Sequence, residues 1–578
     1  MMLVWNNAGA TNWDKGKGSY HNMGRDGEIM MALADATDNC NQQPFCCQFS
    51  GYQSSIMSVL HSSEDILARL PSQKLQIINI IMYSGIMVFF GGSFTFNDFG
   101  FGDLKFECIF LNHGNYSVKI SPNQCEVKLY GTVSASLNTS YISTESCKNF
   151  DYSPGEIFET SAVSRFNAVC ENIFIIKLDL FLYLLGGFLA LISLGHIADA
   201  FGRKKTIVGV LLFLALIQLC MIMSPTYLLF ALCRFIEGYF ASGIYQMSFT
   251  TSFEFAPHKW RDFIGVIIYL FFGIALILSA LSSWLFRKWI PFLIVSMVMY
   301  CIPLLYISIF AAESPRWLYV KKPDEFSKFI QKQFNSNPEL FSKDIQIFLK
   351  EHCINIKTQS KQSTNSDTLL SVLKNRKIMF NMFFLINFAI STYLVYYGII
   401  FGASVFELNP HIYYVFLGVA EILGSILIFV ISRFLSRRLI HFISFFFSGL
   451  LCVVAGIIPK SNVWSISLIY ASIVIGKLFS TVSFANHFVW ASELYPTSHR
   501  ALLTGMTISS GRLATISIPY VKLLTEEFWH PLTPLCFGGG AIISSFLCIF
   551  VQDSKKMKLM DTITQTSVDL KGIDEATL

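Results

Sequence analysis

The chain predicts an all-α membrane protein of twelve transmembrane helices arranged as two six-helix halves. Composition, the length of the apolar runs and a repeated charged spacing carry that prediction. Of 578 residues, 53% are hydrophobic, 15% aromatic and only 14% charged, against about 25% charge in a soluble domain. Runs near the roughly 20 residues that cross about 30 Å of hydrocarbon begin near Leu75, Ile176, Thr206, Thr226, Phe263, Trp289, Ile378, Ile412, Leu439, Val463, Leu502 and Pro531. Between such runs an arginine twice stands seven positions after a glutamate: Glu254 and Arg261 in SFEFAPHKWRDF, Glu493 and Arg500 in SELYPTSHRALL. A duplicated charged junction is what two helix bundles rocking against each other at one face require. The net charge of +5 is dispersed along the chain, which excludes the concentrated basic face that nucleic acid needs.

Orientation follows from the bases. Arg203 to Lys205, Lys259 with Arg261, the Lys and Arg between Arg316 and Lys377, Arg433 with Arg437 and Arg438, and Arg500 fall on one side, which the positive-inside rule makes cytoplasmic. Both termini are then expected inside, and residues 1–73 lack the apolar core of a cleavable signal peptide. Residues 1–73 form a cytoplasmic segment and 74–311 the first six-helix bundle, with a large extracellular loop at 97–172 between helices 1 and 2. Residues 312–376 make a cytoplasmic linker with short amphipathic helices, 377–552 the second bundle, and 553–578 a cytoplasmic tail. The outer loop holds Cys108, Cys125, Cys147 and Cys170. In an oxidising compartment these form two disulfides, in any of three connectivities. It also holds two glycosylation sequons, at Asn115 (NYS) and Asn138 (NTS).

The halves align beyond the glutamate-arginine junctions. DAFGRKK at Asp199 to Lys205 stands where SRFLSRR at Ser432 to Arg438 stands in the second half. Gly195 and Gly202 are expected to admit close backbones and a tight turn, and Asp199 to face a helix N-terminus. These residues resemble the major facilitator superfamily. GHIADAFGRKK is similar to its loop between helices 2 and 3, although Ala200 replaces the usual basic residue. CRFIEG, from Cys233 through Arg234 to Gly238, resembles its fourth-helix motif, and AESPRWL, with Arg316, the segment after helix 6. The cysteine-bearing first loop, AVCEN, VYYG at Val395 to Gly398, VAEI at Val419 to Ile422 and ASELYPTSHR at Ala491 to Arg500 resemble the organic cation, organic anion and carnitine transporter family. The resemblance spans about Ser63 to Gln552 and implies the major facilitator fold.

Charges inside a membrane are costly, so they are the first functional candidates. Arg512 lies twelve residues past Arg500, about 18 Å along a helix, near the middle of the eleventh span. The family resemblance implies that this position faces the central cavity, and an arginine there is similar to the anion and carnitine members. Its fork suits a carboxylate or sulfate; the alternative is an arginine paired with a buried acid. Glu421 is expected to pair with Arg512, to attract a cationic group, or to take up a proton. Glu237 is expected to satisfy Arg234. Tyr393, Tyr396, Tyr397, Phe488 and Trp490 offer aromatic faces for organic solutes. Lys477 either carries charge into the tenth span or snorkels to the outer interface.

The leading expectation is a polyspecific carrier of small organic ions working by alternating access in the plasma membrane, with organic anions or zwitterions favoured. Its partners are the substrate, the lipid bilayer, and a coupling ion or exchange anion. An organic cation or sugar carrier, or a receptor or adaptor on the same fold, are the alternatives. No phosphate loop, zinc-type His/Cys spacing or nucleophile motif stands out, so an enzyme is not expected, nor a cofactor or metal. Gly195, Asp199, Gly202, Arg203, Arg234, Glu254, Arg261, Arg316, Glu493 and Arg500 are assigned to gating. Within that set, Glu254, Arg261, Glu493 and Arg500 would close the inner gate by salt bridges when the site faces out. Glu493→Gln is then expected to raise cysteine accessibility from the cytoplasm without removing the protein from the membrane; unchanged accessibility would count against the gate.

Overall fold

The computed structural model describes residues 73–102, 104–109, 116–120, 125–132, 139–256, 261–334, 376–403, 405–406, 408–495, 500–522, 529 and 531–554. The first span combines α1 (Gln73–Gly85), a 3-10 turn (Ile86–Phe89) and α2 (Gly91–Gly100). Short strands and α3 (Ala162–Phe166) follow. The first half continues with α4 (Phe174–Phe201), α5 (Arg203–Met223), α6 (Tyr227–Phe255), α7 (Arg261–Phe286) and α8 (Trp289–Phe310). Then come the short helices α9 (Pro315–Lys321) and α10 (Pro323–Phe334). The second half comprises α11 (Arg376–Ile400), α12 (Pro410–Phe434), α13 (Arg437–Ile457), α14 (Val463–Leu494), α15 (Arg500–Ile516) and α16 (Leu532–Leu547).

Among the described residues, eleven helices are long and apolar enough to cross a bilayer. α15 supplies the twelfth position. It is shortened by a turn at Ser517 and resumes as helix at 518–522, in a segment made polar by Thr504, Ser509, Ser510 and Arg512. Apolar side chains such as Leu212, Phe213 and Leu216 on α5, and Leu423, Ile426 and Val430 on α12, are exposed. That is the expected state of a surface whose solvent is lipid. The halves meet closely where α7 crosses α12. A Cβ on Gly273 would lie 2.7 Å from the Gly418 carbonyl oxygen, and one on Gly418 2.5 Å from that of Gly273. Only glycines allow this approach.

The loop between the first two spans adds strands that helix-oriented reading did not anticipate. β1 (Lys105–Cys108) pairs antiparallel with β5 (Phe150–Ser153), and β2 (Tyr116–Ile120), β3 (Glu126–Thr132) and β4 (Thr139–Ser146) form a second antiparallel sheet. Of the three connectivities open to the cysteines, the structure has Cys108–Cys147 and Cys125–Cys170. These staples suit a small domain with little apolar core. Arg287, in the turn between α7 and α8, ties the loop down by donating to the carbonyls of Glu156 at 2.6 Å and Ile157 at 3.0 Å. Asn115 and Asn138 lie outside the described residues.

At the opposite, basic end the α4–α5 turn departs from expectation in two respects. Asp199 pairs with Arg203 at 2.6 Å. Glu313 is the carboxylate at the α5 N-terminus, accepting from the Lys204 N–H at 3.0 Å; the following chain, capped by Ser314, brings Glu313 there. Gly195 makes no close approach, since a Cβ there would meet nothing within 4 Å. Gly202 is the strict requirement, at φ 105 and ψ 154, a region essentially closed to other residues. Gly202→Ala is expected to lower stability by about 1–3 kcal/mol and Gly195→Ala by less than about 0.5 kcal/mol, read as melting temperatures of the detergent-purified protein.

Candidate functional site

Where the halves face each other midway along their helices, a narrow cavity is walled by Phe94, Tyr183 and Tyr245 from the first half and Tyr396, Tyr397 and Arg512 from the second. α15 projects Arg512 into it. Gly511 packs against the Tyr393 ring, which a Cβ would strike at 2.4 Å, so α15 lies flush with α11. The Arg512 guanidinium carbon sits 5.3 Å from the Tyr397 ring centre, 5.6 Å from Tyr393 and 5.9 Å from Tyr245. Aromatic faces stabilise a cation without neutralising it. Among the described residues no carboxylate forms a salt bridge with Arg512, and its buried Nε makes no hydrogen bond.

Glu421 does not pair with Arg512. It lies fully buried beside the cavity, where its Oε2 meets Lys477 Nζ at 2.8 Å and accepts from Thr481 at 2.9 Å. Its Oε1 accepts from the Tyr396 hydroxyl at 2.8 Å. Lys477 also stands 3.2 Å from the centre of the Tyr396 ring. Lys477 is therefore a core residue and does not snorkel: α14 carries it into the bundle, and the acid on α12 compensates the cost of burial.

The aromatic candidates divide. Tyr393, Tyr396 and Tyr397 pack around Phe484 with ring centres 5.0, 4.3 and 6.1 Å away. Phe488 lies a turn further along α14 and meets Phe249 of the first half at 6.3 Å. Trp490 does not line this cavity. It stacks on Phe388 at 5.8 Å and donates its indole N–H to the Gln552 carbonyl, because its helical position points into the second bundle.

The gating candidates divide as well. Arg203 binds Glu254 at 3.0 Å, and Arg437 binds Glu493 at 3.1 Å. Each pair joins the helix after the basic loop to the end of a helix in the same half, so neither bridges the halves here. Arg261 and Arg500 open α7 and α15. Arg316 is exposed in the first turn of α9. Arg234 sits toward the opposite end of α6 from Glu254, fully buried between Asp179 and Glu237. On the strand-bearing side the halves touch directly: Phe94 meets Phe401 at 5.0 Å, Phe181 meets Tyr520 at 5.2 Å, Ser283 meets His411 at 3.1 Å, and the Tyr414 hydroxyl donates to Asp98.

Sequence reading missed Asp179, Tyr183, Tyr245, Thr481 and Glu313. Only Asp179 carried a usable signal, an acid inside an apolar run. The buried Glu421–Lys477 pair gives a stability prediction. Lys477→Met is expected to destabilise the protein by about 3–5 kcal/mol by stranding the carboxylate. Adding Glu421→Gln should recover most of that loss, in a double-mutant cycle of melting temperatures.

The comparisons agree with this architecture. Residues 172–564 match the family model described as sugar (and other) transporter. An "Organic cation transporter protein" of Drosophila melanogaster is 26% identical over 76% of this chain and 79% of its own length. "Solute carrier family 22 member 7" of Mus musculus is 25% identical over 74% and 78%. "Solute carrier family 22 member 6" of Rattus norvegicus is 26% identical over 74% and 77%. Among solved structures, the inward open xylose transporter XylE from E. coli superposes with a TM-score of 0.57 at 13% identity, over 84% of this chain and 97% of that one. Its partially occluded inward open form gives 0.54 at 14% identity, over 84% and 100%. Those structures bear on the fold alone. With two helical halves around a central cavity and a family match over most of the chain, this protein belongs to the sugar (and other) transporter family of the major facilitator superfamily.

Proposed function

We propose that this transporter carries small organic anions, or zwitterions presenting a carboxylate or sulfate, across the plasma membrane by alternating access. One observation carries the reading: Arg512 is the cavity's uncompensated cation, while the nearby acid Glu421 is already neutralised by Lys477. A cavity with that balance attracts an anion, and the guanidinium fork fixes a carboxylate or sulfate by two parallel hydrogen bonds. Phe90, Phe94, Phe272 and the tyrosines supply an apolar surface for an organic body. The names of the relatives span organic cation transporter and solute carrier, and the charge balance favours anions.

Orientation is part of the proposal. The disulfide-bearing strands face the exterior, the basic loops and both termini the cytoplasm. Contacts on the strand-bearing side then seal the exterior path, and the Glu254 and Glu493 pairs each lie inside one half, so among the described residues they do not bridge an inner gate. Arg512→Asp, in proteoliposomes offered labelled phenyl sulfate, benzenesulfonate or tetraethylammonium, is expected to cut uptake of both anions by at least about tenfold, the loss of one charge-assisted hydrogen bond. Cation uptake should not fall. Retained anion uptake would overturn the reading.

A further inference from the structure

On the strand-bearing side a histidine of the second half is received by three separate segments of the first. His411 stands at the start of α12, where its backbone N–H donates to the Asn409 side chain at 3.0 Å. Phe99 of α2 stacks on the imidazole, with ring centres 5.5 Å apart and 13° between the planes. Ser283 of α7 shares a hydrogen bond with Nε2 at 3.1 Å. Phe158, from the loop between the first two spans, packs on the same ring at 5.4 Å. These contacts leave His411 8% exposed and Phe158 3%.

Phe158 belongs to a strap, residues 156–160, that follows β5 and is fastened to the first half. Arg287 donates to the carbonyls of Glu156 and Ile157, and its own carbonyl accepts from the Glu159 N–H at 2.8 Å. Lys288 pairs with Glu159 at 3.3 Å and bridges to Thr160. Arg287 makes these bonds at φ 53, a left-handed backbone that costs a non-glycine residue. Gly102, just past α2, leaves room for the ring, since a Cβ there would meet Phe158 at 2.2 Å. The strap therefore travels with the first half, and Phe158 carries it onto the second.

Position gives this contact leverage. His411 lies seven residues from Gly418 on α12, and Ser283 ten from Gly273 on α7, about 10 and 15 Å along the helices from their crossing. A rotation of about 15° around that crossing moves side chains at those distances by roughly 3–4 Å, enough to part the rings and the hydrogen bond. The chemistry suits repeated parting. An imidazole gives its faces to rings and its edge to a hydroxyl, and no charge is left unpaired when the contact opens to water.

We infer that Phe158 and His411 are positioning residues of the transport cycle: the strap latches the strand-bearing ends of the halves together, and its hold on His411 sets the fraction of protein closed on that side. The inference rests on alternating access by a carrier, and on neither the charge of the substrate nor which face is exterior. Removing the Phe158 ring should shift the equilibrium about tenfold toward opening on that side, the weight of one well-placed aromatic contact.

Hydrogen–deuterium exchange of the full chain in lipid nanodiscs reads that shift without a substrate. Phe158→Ala is expected to speed exchange about tenfold at the strand-bearing ends of α2 and α12, but neither in β1 and β5 nor at the helix ends that carry Glu254 and Glu493. Phe158→Tyr should keep the wild-type pattern. Unchanged exchange at the start of α12, or faster exchange everywhere alike, overturns the inference. A second arm uses Phe158→Cys, which sets a thiol beside His411 as a ligand pair for Cd2+. Cd2+ on both faces of proteoliposomes should then stop uptake of labelled phenyl sulfate, a chelator should restore it, and the wild type should be far less affected. The same folded protein is compared with and without metal, so this arm decides even if Phe158→Ala fails to fold. A variant that binds Cd2+ and keeps transporting, or that binds none, overturns the latch. A wild type that moves no phenyl sulfate, with the exchange pattern as expected, refutes the anion reading and keeps the latch.

Discussion

The constraint on which this structure depends is the cost of charge in hydrocarbon. An ion removed from water must be met by an opposite charge or a full set of hydrogen bonds, or it unsettles the helices that carry it. Arg234, Lys477 and Arg512 all sit deep in the helices, and the chain treats each differently. Arg234 faces two acids, Lys477 faces one, and Arg512 faces only aromatic rings. The first is over-compensated, the second balanced and the third, among the described residues, has no acid beside it. That gradation separates a structural pair from a site. Burial alone would not, since Lys477 is more deeply enclosed than Arg512.

The internal repeat has a physical form as well as a sequence form. Arg203 with Glu254 and Arg437 with Glu493 are equivalent ties, each fastening the helix after a basic loop to the far end of a neighbouring helix. The second tie is reinforced by Ser554, which donates to Glu493 at 2.5 Å, and by Asn486, which donates to the Arg437 carbonyl at 2.9 Å. The first is reinforced by Glu313 and by Trp317, whose indole donates to the Asp199 carbonyl at 2.9 Å. Duplication preserved the tie and allowed its supports to diverge. The acid and glycine of the first loop therefore have no counterparts in the second: there Ser436 caps α13 in place of an incoming carboxylate.

Much of the fold was legible because hydrocarbon thickness dictates run length, and eleven of the predicted spans need only composition to be seen. The eleventh in order was harder for the reason that makes it functional: α15 gives up apolar residues to carry Arg512. The position of Arg512 could be counted from Arg500 along a helix. The partner of Glu421 could not, because a salt bridge between α12 and α14 depends on how helices rotate against each other, which periodicity leaves open. Trp490 and Tyr397 illustrate the same limit. Both are aromatics in motif-rich segments of neighbouring helices, yet one faces the cavity and the other the bundle interior. The disulfide pairing was likewise beyond counting, since it follows from strand register in the outer loop.

Alternating access finally asks what a substrate changes when it binds. A ligand shifts two states only by the difference in its contacts with them. Arg512 belongs to the second half, but the rings around it come from both, Tyr393 and Tyr397 on one side and Tyr245 on the other. On the proposed reading, an anion held by the guanidinium would weaken the pull of that cation on all three rings, and its organic body would take their place against Tyr245 and Phe94. The contact between halves then runs through the substrate. Gly273 and Gly418, where the backbones of α7 and α12 touch without intervening side chains, provide the low-friction crossing about which such a rearrangement can turn. On the proposed anion reading, the free energy of a substrate meeting Arg512 would become motion because the cavity lies between the halves, while the balanced pair at Glu421 stays inside one of them.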